Sequence, residues 1–385
     1  MNFNLTEDQI AFRDLAAQFS QQELLPNAAD WDRDSTFPVE TIKKAGKLGF
    51  LSLYAPEKMG GMGLSRLDAS LVFEQLSMGC TSTTAYMTIH NMVTWMVGLA
   101  GSDEVLAQWS EPLVTGEKLA SYCLTEPGSG SDAASLKTRA VREGDEYVLS
   151  GSKMFISGAG STDLLLVMAR TGQDGPKGIS AFAVPASSDG ITYGRNEKKM
   201  GWKSQPTRLV SFDNVRVPAS ALLGQEGEGF TLAMKGLDGG RINIATCSIG
   251  TAQQALNTAR DYMKDRKQFG KALAEFQALQ FRLADMATEL TAARQMVRLA
   301  AFKLDQVDPE ATAYCAMAKR FATDIGFKVC NEALQLHGGY GYINEYPLER
   351  HVRDTRVHQI LEGTNEIMRL IIARRILADE CTGLE

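Results

Sequence analysis

From Thr6 the chain repeats apolar residues at helical spacing. Ile10, Phe12, Leu15, Ala16 and Phe19 follow Thr6 and Gln9, a pair that fits a capping box, and Pro26 closes the element. The same period predicts helices over 39–48, 66–78 and 84–99, so residues 1–118 read as a mainly α domain. Near Leu119 the pattern changes. Short apolar runs at 147–150, 164–170, 179–184 and 209–212 are separated by turn signals such as Gly158-Ala159-Gly160 and Ser187-Ser188-Asp189-Gly190. No helix-length segment lies between these runs, which disfavours a βαβ parallel sheet and predicts an antiparallel β-barrel or sandwich over 119–229. Beyond it, amphipathic patterns at 241–266, 275–306 and 309–337, with a shorter one at 364–378, predict an antiparallel four-helix bundle over 230–385. The fold class expected is α+β: a helical domain, a β domain and a helical bundle.

Composition narrows the chemistry. With 385 residues, 44% hydrophobic and 22% charged, the chain has material for more than one domain. Its 40 Lys plus Arg against 46 Asp plus Glu give a net charge of -6 without a block of one sign, which argues against a nucleic-acid partner. A local basic pocket is not excluded, because net charge says nothing about one cleft. Cys80, Cys123, Cys247, Cys315, Cys330 and Cys381 form no CxxC pair and read as reduced thiols. His90, His337, His351 and His358 make no HExxH or Cys/His cluster, so no metal is expected. The start, Met1 to Asp8, lacks a basic, apolar leader, and no segment has about 18 consecutive apolar residues. A soluble cytoplasmic protein is the expectation.

Five segments interrupt the periodic pattern, and each also has an ordinary structural reading. Thr125-Glu126-Pro127-Gly128-Ser129-Gly130-Ser131-Asp132 is either a surface turn or a loop whose backbone and hydroxyls approach a ligand. Gly128, Gly130 and Ala133 fit a loose dinucleotide fingerprint, but Gly144 and a strand-like Tyr147-Val148-Leu149 follow where a long helix is required, so that reading is rejected. Phe155-Ile156-Ser157 offers an aromatic face beside a hydroxyl, or a core Phe with a turn Ser. Leu237-Asp238-Gly239-Gly240-Arg241 reads as a helix start, and Arg266-Lys267-Gln268-Phe269-Gly270 as a charged helix end. Last come Gln335-Leu336-His337-Gly338-Gly339 and Gln359 to Glu366. There Glu362 follows an apolar Ile-Leu step and precedes Gly363, so it is read as a loop carboxylate against apolar surface, a setting that raises its pKa and makes it a usable base.

In this order the segments resemble the acyl-CoA dehydrogenase family over essentially the whole chain. The strongest signatures are Tyr122-Cys123-Leu124-Thr125-Glu126-Pro127-Gly128-Ser129-Gly130-Ser131-Asp132, and Gln335-Leu336-His337-Gly338-Gly339 followed by Leu361-Glu362-Gly363-Thr364-Asn365-Glu366. The resemblance implies FAD as cofactor, held by Tyr122 to Ser131, by Phe155, Ile156 and Ser157, and by Thr364, Asn365 and Glu366. It implies a homotetramer in which Arg266, Phe276, Gln277 and Gln335, Leu336, His337, Gly338 and Gly339 reach a neighbour's FAD. Ser131, Asp238, Gly239, Gly240, Arg241, Gly363 and Arg374 match positions lining the acyl-CoA, and Glu362 matches the catalytic base. Two branches of the family place the base near residue 240, where this chain has Gly240. Phe155 stands where many members carry Trp, and Ser204-Gln205-Pro206-Thr207 departs from a common Ser-x-Thr arrangement and is expected to adjust the β domain's approach to the ligand. Segments 84–92, 201–208 and 239–245 resemble the members acting on isobutyryl-CoA, which implies valine catabolism, with butyryl-CoA and 2-methylbutyryl-CoA as alternatives. An electron-transfer flavoprotein is the implied electron acceptor. A catalytically silent acyl-CoA-binding scaffold is the competing reading, against which the retention of Glu362 argues.

Overall fold

In the computed structural model, residues 4–381 are described; 1–3, where the stretch read for a leader begins, and 382–385 lie outside them. Thr6 accepts from the Gln9 backbone N–H at 3.2 Å and Gln9 returns the bond to Thr6 N at 3.1 Å, so the capping box starts α1 (Glu7–Phe19). This helix widens into a π turn, Ser20–Leu24, ahead of Pro26. Next come α2 (Ala28–Asp34), α3 (Val39–Lys47), α4 (Arg66–Gly79), α5 (Thr81–Ala100) and α6 (Asp103–Thr115).

Eight strands follow: β1 (Ala120–Cys123), β2 (Arg139–Glu143), β3 (Glu146–Ser157), β4 (Leu164–Arg170), β5 (Ile179–Pro185), β6 (Ile191–Tyr193), β7 (Thr207–Pro218) and β8 (Leu222–Leu223). They join one sheet, seven of them in the order β6-β7-β3-β2-β4-β5-β8 and β1 off this path against β4. Two pairings depart from the antiparallel expectation: β1 runs parallel to β4, Ala120 opposite Leu164, and Arg139 of β2 meets Arg170 of β4 in parallel. The sequence hides this because the crossover between β1 and β4 is itself the β2–β3 hairpin, and parallel pairing needs only a connection of about a dozen residues, not a helix. β3 and β7 outrun the short runs predicted for them. Their pairing shifts register at Leu149/Gly151 and Lys153/Ile156, which breaks the alternation that marks a strand.

The C-terminal part is built on α7 (Gly229–Asp265), then a small hairpin of β9 (Lys267–Gln268) and β10 (Lys271–Ala272), α8 (Gln277–Asp305), α9 (Ala311–His337), α10 (Gly339–Tyr342), α11 (Leu348–Arg356) and α12 (Asn365–Leu377). Ile242, Ile249 and Met263 of α7 pack with Leu290 and Val297 of α8 and Val329 and Leu336 of α9 to form the bundle core. The sequence reading placed a helix start at the Gly239-Gly240 pair; in the structure α7 runs straight through it. Each helical glycine costs about 1 kcal/mol relative to alanine. Burial of Leu232 and Ala233 against α5 and the sheet sustains the helix on the N-terminal side of the pair. The glycines leave a stretch of α7 bare, and the candidate site forms there.

Candidate active site

Past α11 and a 3-10 turn at Val357–Gln359, the backbone turns through Glu362 at φ 55 and Gly363 at φ 86. Thr364 then caps α12, its hydroxyl accepting from Ile367 N at 3.3 Å. A glutamate in the left-handed region costs roughly 1–2 kcal/mol, so this conformation is held by its surroundings. The turn delivers the carboxylate onto α7, where a Cβ at Gly240 would lie 2.6 Å from Oε2. The residue as a whole keeps partial exposure, yet Oε2 is buried without a hydrogen-bond partner. Burial lifts the Glu362 pKa to about 7, while the charges of Arg241 and Lys319 pull against that rise. The sequence reading of a loop carboxylate with raised pKa is thus met, with one change: the surface it leans on is bare glycine backbone.

Three other buried polar atoms near this glycine pair also lack partners. Arg241 donates from Nη1 to Asp238 at 2.6 Å, and Asp238 accepts from Thr312 at 2.8 Å, but the Arg241 Nε has no acceptor. Tyr122 has an orphan hydroxyl, and burial first, then the charge of Glu362, raises its pKa. Arg66 was not singled out from the sequence, since a cation opening a helix reads as surface. Its guanidinium lies 3.5 Å from the Tyr54 ring centroid and 5.0 Å from that of Trp95, and its Nη1, unpartnered, occupies the space a Cβ on Gly239 would need. Tyr54 in turn accepts from Asn243 at 3.0 Å. Buried polar atoms are nearly always bonded. Four orphans around one buried glycine stretch of helix therefore mark a place where a polar ligand completes the structure.

The 125–131 turn is a second feature. Glu126 and Ser129 exchange backbone bonds at 3.0 and 3.1 Å, and Met154 N donates to Thr125 O at 2.8 Å, which holds the turn beside Phe155. Glu126 gives its carboxylate to the fold: it accepts from Lys137 N at 2.7 Å, Thr138 N at 2.9 Å and Lys153 Nζ at 2.8 Å. Burial opposes its ionisation, but Lys153 and these amides hold the carboxyl below its usual range. Replacing Lys153 by Met leaves that carboxylate buried and unpaired, so a loss of about 3–5 kcal/mol is expected in denaturant unfolding; a loss under about 1 kcal/mol contradicts the pairing. Cys123, Leu124 and Ile156 spend their side chains in the core, leaving backbone groups for a ligand. Ser129 donates to Asp132 O at 2.5 Å, and Ser157 O accepts from Ser121 at 2.7 Å. Open toward solvent are Gly128, Gly130 and Ser131, together with the Phe155 ring, 62% exposed at φ 59. The reading of Phe155 as a core residue is excluded.

Arg266, Gln335, Leu336, His337, Gly338 and Gly339 line one groove of about 740 Å³ with Tyr262 and Tyr340. His337 stacks on Tyr262 at 4.1 Å, bonds Ala333 O through Nδ1 at 2.8 Å, and keeps a buried, unpartnered Nε2. Phe276 and Gln277 stand at the start of α8, next to the lining residues Leu273 and Ala278. None of the groove's lining residues belongs to the Glu362 cluster, so one chain holds two separated groups of site residues. Asn365 is buried beneath the Glu362 turn, whereas Glu366 and Arg374 are exposed on α12. Ser204 and Gln205, expected to adjust the approach to the ligand, are buried against the start of α5, with Gln205 donating to Ser82 O at 3.0 Å and the Ser204 hydroxyl 3.2 Å from that of Thr83.

Three domain profiles match in succession: acyl-CoA dehydrogenase N-terminal domain over 6–117, middle domain over 121–215 and C-terminal domain over 227–377. The chain belongs to the acyl-CoA dehydrogenase family. Among relatives, the mitochondrial isobutyryl-CoA dehydrogenase of Bos taurus is 54% identical over 98% of this chain and 91% of its own length. The solved butyryl-CoA dehydrogenase of Megasphaera elsdenii is 39% identical, with a TM-score of 0.94 over 98% of this chain and all 100% of that one. A structure of PigA with FAD and proline is 29% identical, with a TM-score of 0.95 over 98% of this chain and 100% of that one. FAD is the cofactor of acyl-CoA dehydrogenases. The residues here fit it: an exposed aromatic ring beside open glycine amides suits a planar ring system, and the orphan His337 Nε2 offers a polar contact in a groove.

Proposed function

We propose that this acyl-CoA dehydrogenase removes hydrogens from the α and β carbons of isobutyryl-CoA, giving methacrylyl-CoA in valine catabolism, with Glu362 as the base. The observation that carries the reading is the Glu362 carboxylate, sealed on Gly240 with Oε2 unpartnered and its pKa near neutrality. A carboxylate at its ordinary pKa is too weak a base for a carbon acid, and burial strengthens it. The α C–H of a thioester becomes removable when charge developing on the carbonyl oxygen is met by fixed donors. Glu362 takes that proton, and its own backbone N–H is the donor in this reading. Tyr122, Gly240 and Arg241 line the acyl site, and Asp238 fixes Arg241 through their 2.6 Å contact. Bound FAD supplies the acceptor for the hydride leaving the β carbon.

Tyr122 to Ser131, Phe155 to Ser157 and Thr364 to Glu366 hold the cofactor of their own chain. The groove residues Arg266, Phe276, Gln277 and Gln335 to Gly339 complete a neighbour's site within the homotetramer that the family resemblance implies. Support comes from large apolar side chains left bare in this region: Phe269 is 94% exposed and Tyr342 83%. An electron-transfer flavoprotein is the acceptor in this reading, as the family resemblance implies. No helix among the described residues is long and apolar enough to cross a membrane. A cytoplasmic location belongs to the proposal, although the Bos taurus relative is named mitochondrial.

Anaerobic mixing of the yellow holoenzyme with a panel of acyl-CoAs tests the substrate. Isobutyryl-CoA is expected to bleach the flavin fastest. Faster bleaching by butyryl-CoA or 2-methylbutyryl-CoA overturns the isobutyryl assignment, and a protein that binds acyl-CoA without bleaching overturns the reaction.

A further inference from the structure

α9 buries a stripe of small residues, Cys315, Ala316, Ala318, Ala322, Thr323 and Gly326, and within it stands Lys319 with 0% exposure. A buried ammonium is costly unless paired or fully bonded. Among the described residues Lys319 has no carboxylate within ion-pair distance. Instead its Nζ donates to Gly363 O at 2.7 Å and to Asn365 Oδ1 at 2.9 Å, one on each side of the cap residue Thr364. Asn365 carries the support onward, donating to Thr323 Oγ1 at 3.0 Å and Asp324 Oδ1 at 2.8 Å. The carbonyl held in this way belongs to Gly363, which with Glu362 makes up the left-handed part of the turn.

We propose that Lys319 is the positioning residue of the base: it pins the 362–365 turn through Gly363 and Asn365 and so holds the Glu362 carboxylate on Gly240. The groups facing the pair come from several elements. Arg241 of α7 faces both; Asp324 of α9 and Glu366 of α12 face Lys319; the buried His358 faces Lys319 from the 3-10 turn; Tyr54 and Tyr122 face Glu362. Burial lowers the Lys319 pKa to about 7, and of the charges around it that of Glu362 counts most, in the opposite direction. The two groups therefore titrate as a pair. A cation in place lowers the carboxylate's pKa; without it, ionisation of Glu362 moves to higher pH.

The inference rests on Glu362 as the base, and the test separates the two. The rate of flavin reduction by saturating acyl-CoA is measured against pH in wild type and in Lys319→Met, with flavin content and circular dichroism as controls for folding. Wild type rises with pH through a midpoint near neutrality. In Lys319→Met the midpoint moves up by about one unit, so the rate falls about fivefold at pH 7 and about tenfold at pH 6, and recovers toward wild type in alkali. Lys319→Arg retains the wild-type midpoint. If Lys319→Met does not accumulate, Lys319→Gln, neutral but still a donor to Gly363 O, takes its place with the same expected shift. A uniform rate loss with an unmoved midpoint makes Lys319 merely structural and overturns the inference. Wild type that no acyl-CoA reduces overturns the function itself.

Discussion

Glu362→Gln is expected to yield a yellow protein that still binds acyl-CoA but whose flavin is bleached about 10³- to 10⁴-fold more slowly than in wild type. The amide matches the carboxylate in size, so the contact with Gly240 and the left-handed turn are retained, and binding should change little. What disappears is the acceptor for the α proton. Arg241, Tyr122 and Arg66 cannot substitute: two are cations, and burial raises the pKa of Tyr122 well above its ordinary value, so its hydroxyl stays protonated. Bleaching within about threefold of wild type places the base elsewhere.

Gly240→Ala, the second large effect, separates stability from activity. Alanine favours a helix interior over glycine by about 1 kcal/mol, so the unfolding temperature should hold or rise. Activity should fall by about 100-fold, because the new methyl group arrives 2.6 Å from Oε2 and must push the carboxylate away from its position. The flexible Glu362 side chain, rather than the helix backbone, gives way. A variant with unchanged melting and unchanged bleaching rate contradicts the packing of base on glycine.

The regular parts of the fold were legible because they obey one period. The Thr6–Gln9 box and the strand Leu164–Arg170 fall where the pattern puts them. Boundaries failed where packing overrides local preference. Gly239 and Gly240 look like a helix start in any sequence; burial of Leu232 and Ala233 carries the helix into them, and the side chains of Arg66 and Glu362, remote in the chain, take the space a Cβ would fill. The parallel pairing of β1 with β4 could not be read, since nothing in four residues of Ala120–Cys123 states a direction.

Glu362 was legible because its neighbours are odd: an apolar step before it, a glycine after it. Its supports were not. Arg66 sits at the first position of α4, where a cation is ordinary. Lys319 carries a usable signal, a charge on the apolar stripe of an otherwise regular helix. Glu126 is the converse case, a motif residue whose carboxylate serves the fold: it is spent on Lys137, Thr138 and Lys153.

The central claim, that Glu362 moves the α proton, is tested most directly by following deuterium at C2 of isobutyryl-CoA labelled there, in ordinary water, with the FAD-loaded enzyme and no electron acceptor. Wild type should wash the label into solvent, and Glu362→Gln should leave it in place over the same time. Washout by Glu362→Gln at the wild-type rate would contradict the account.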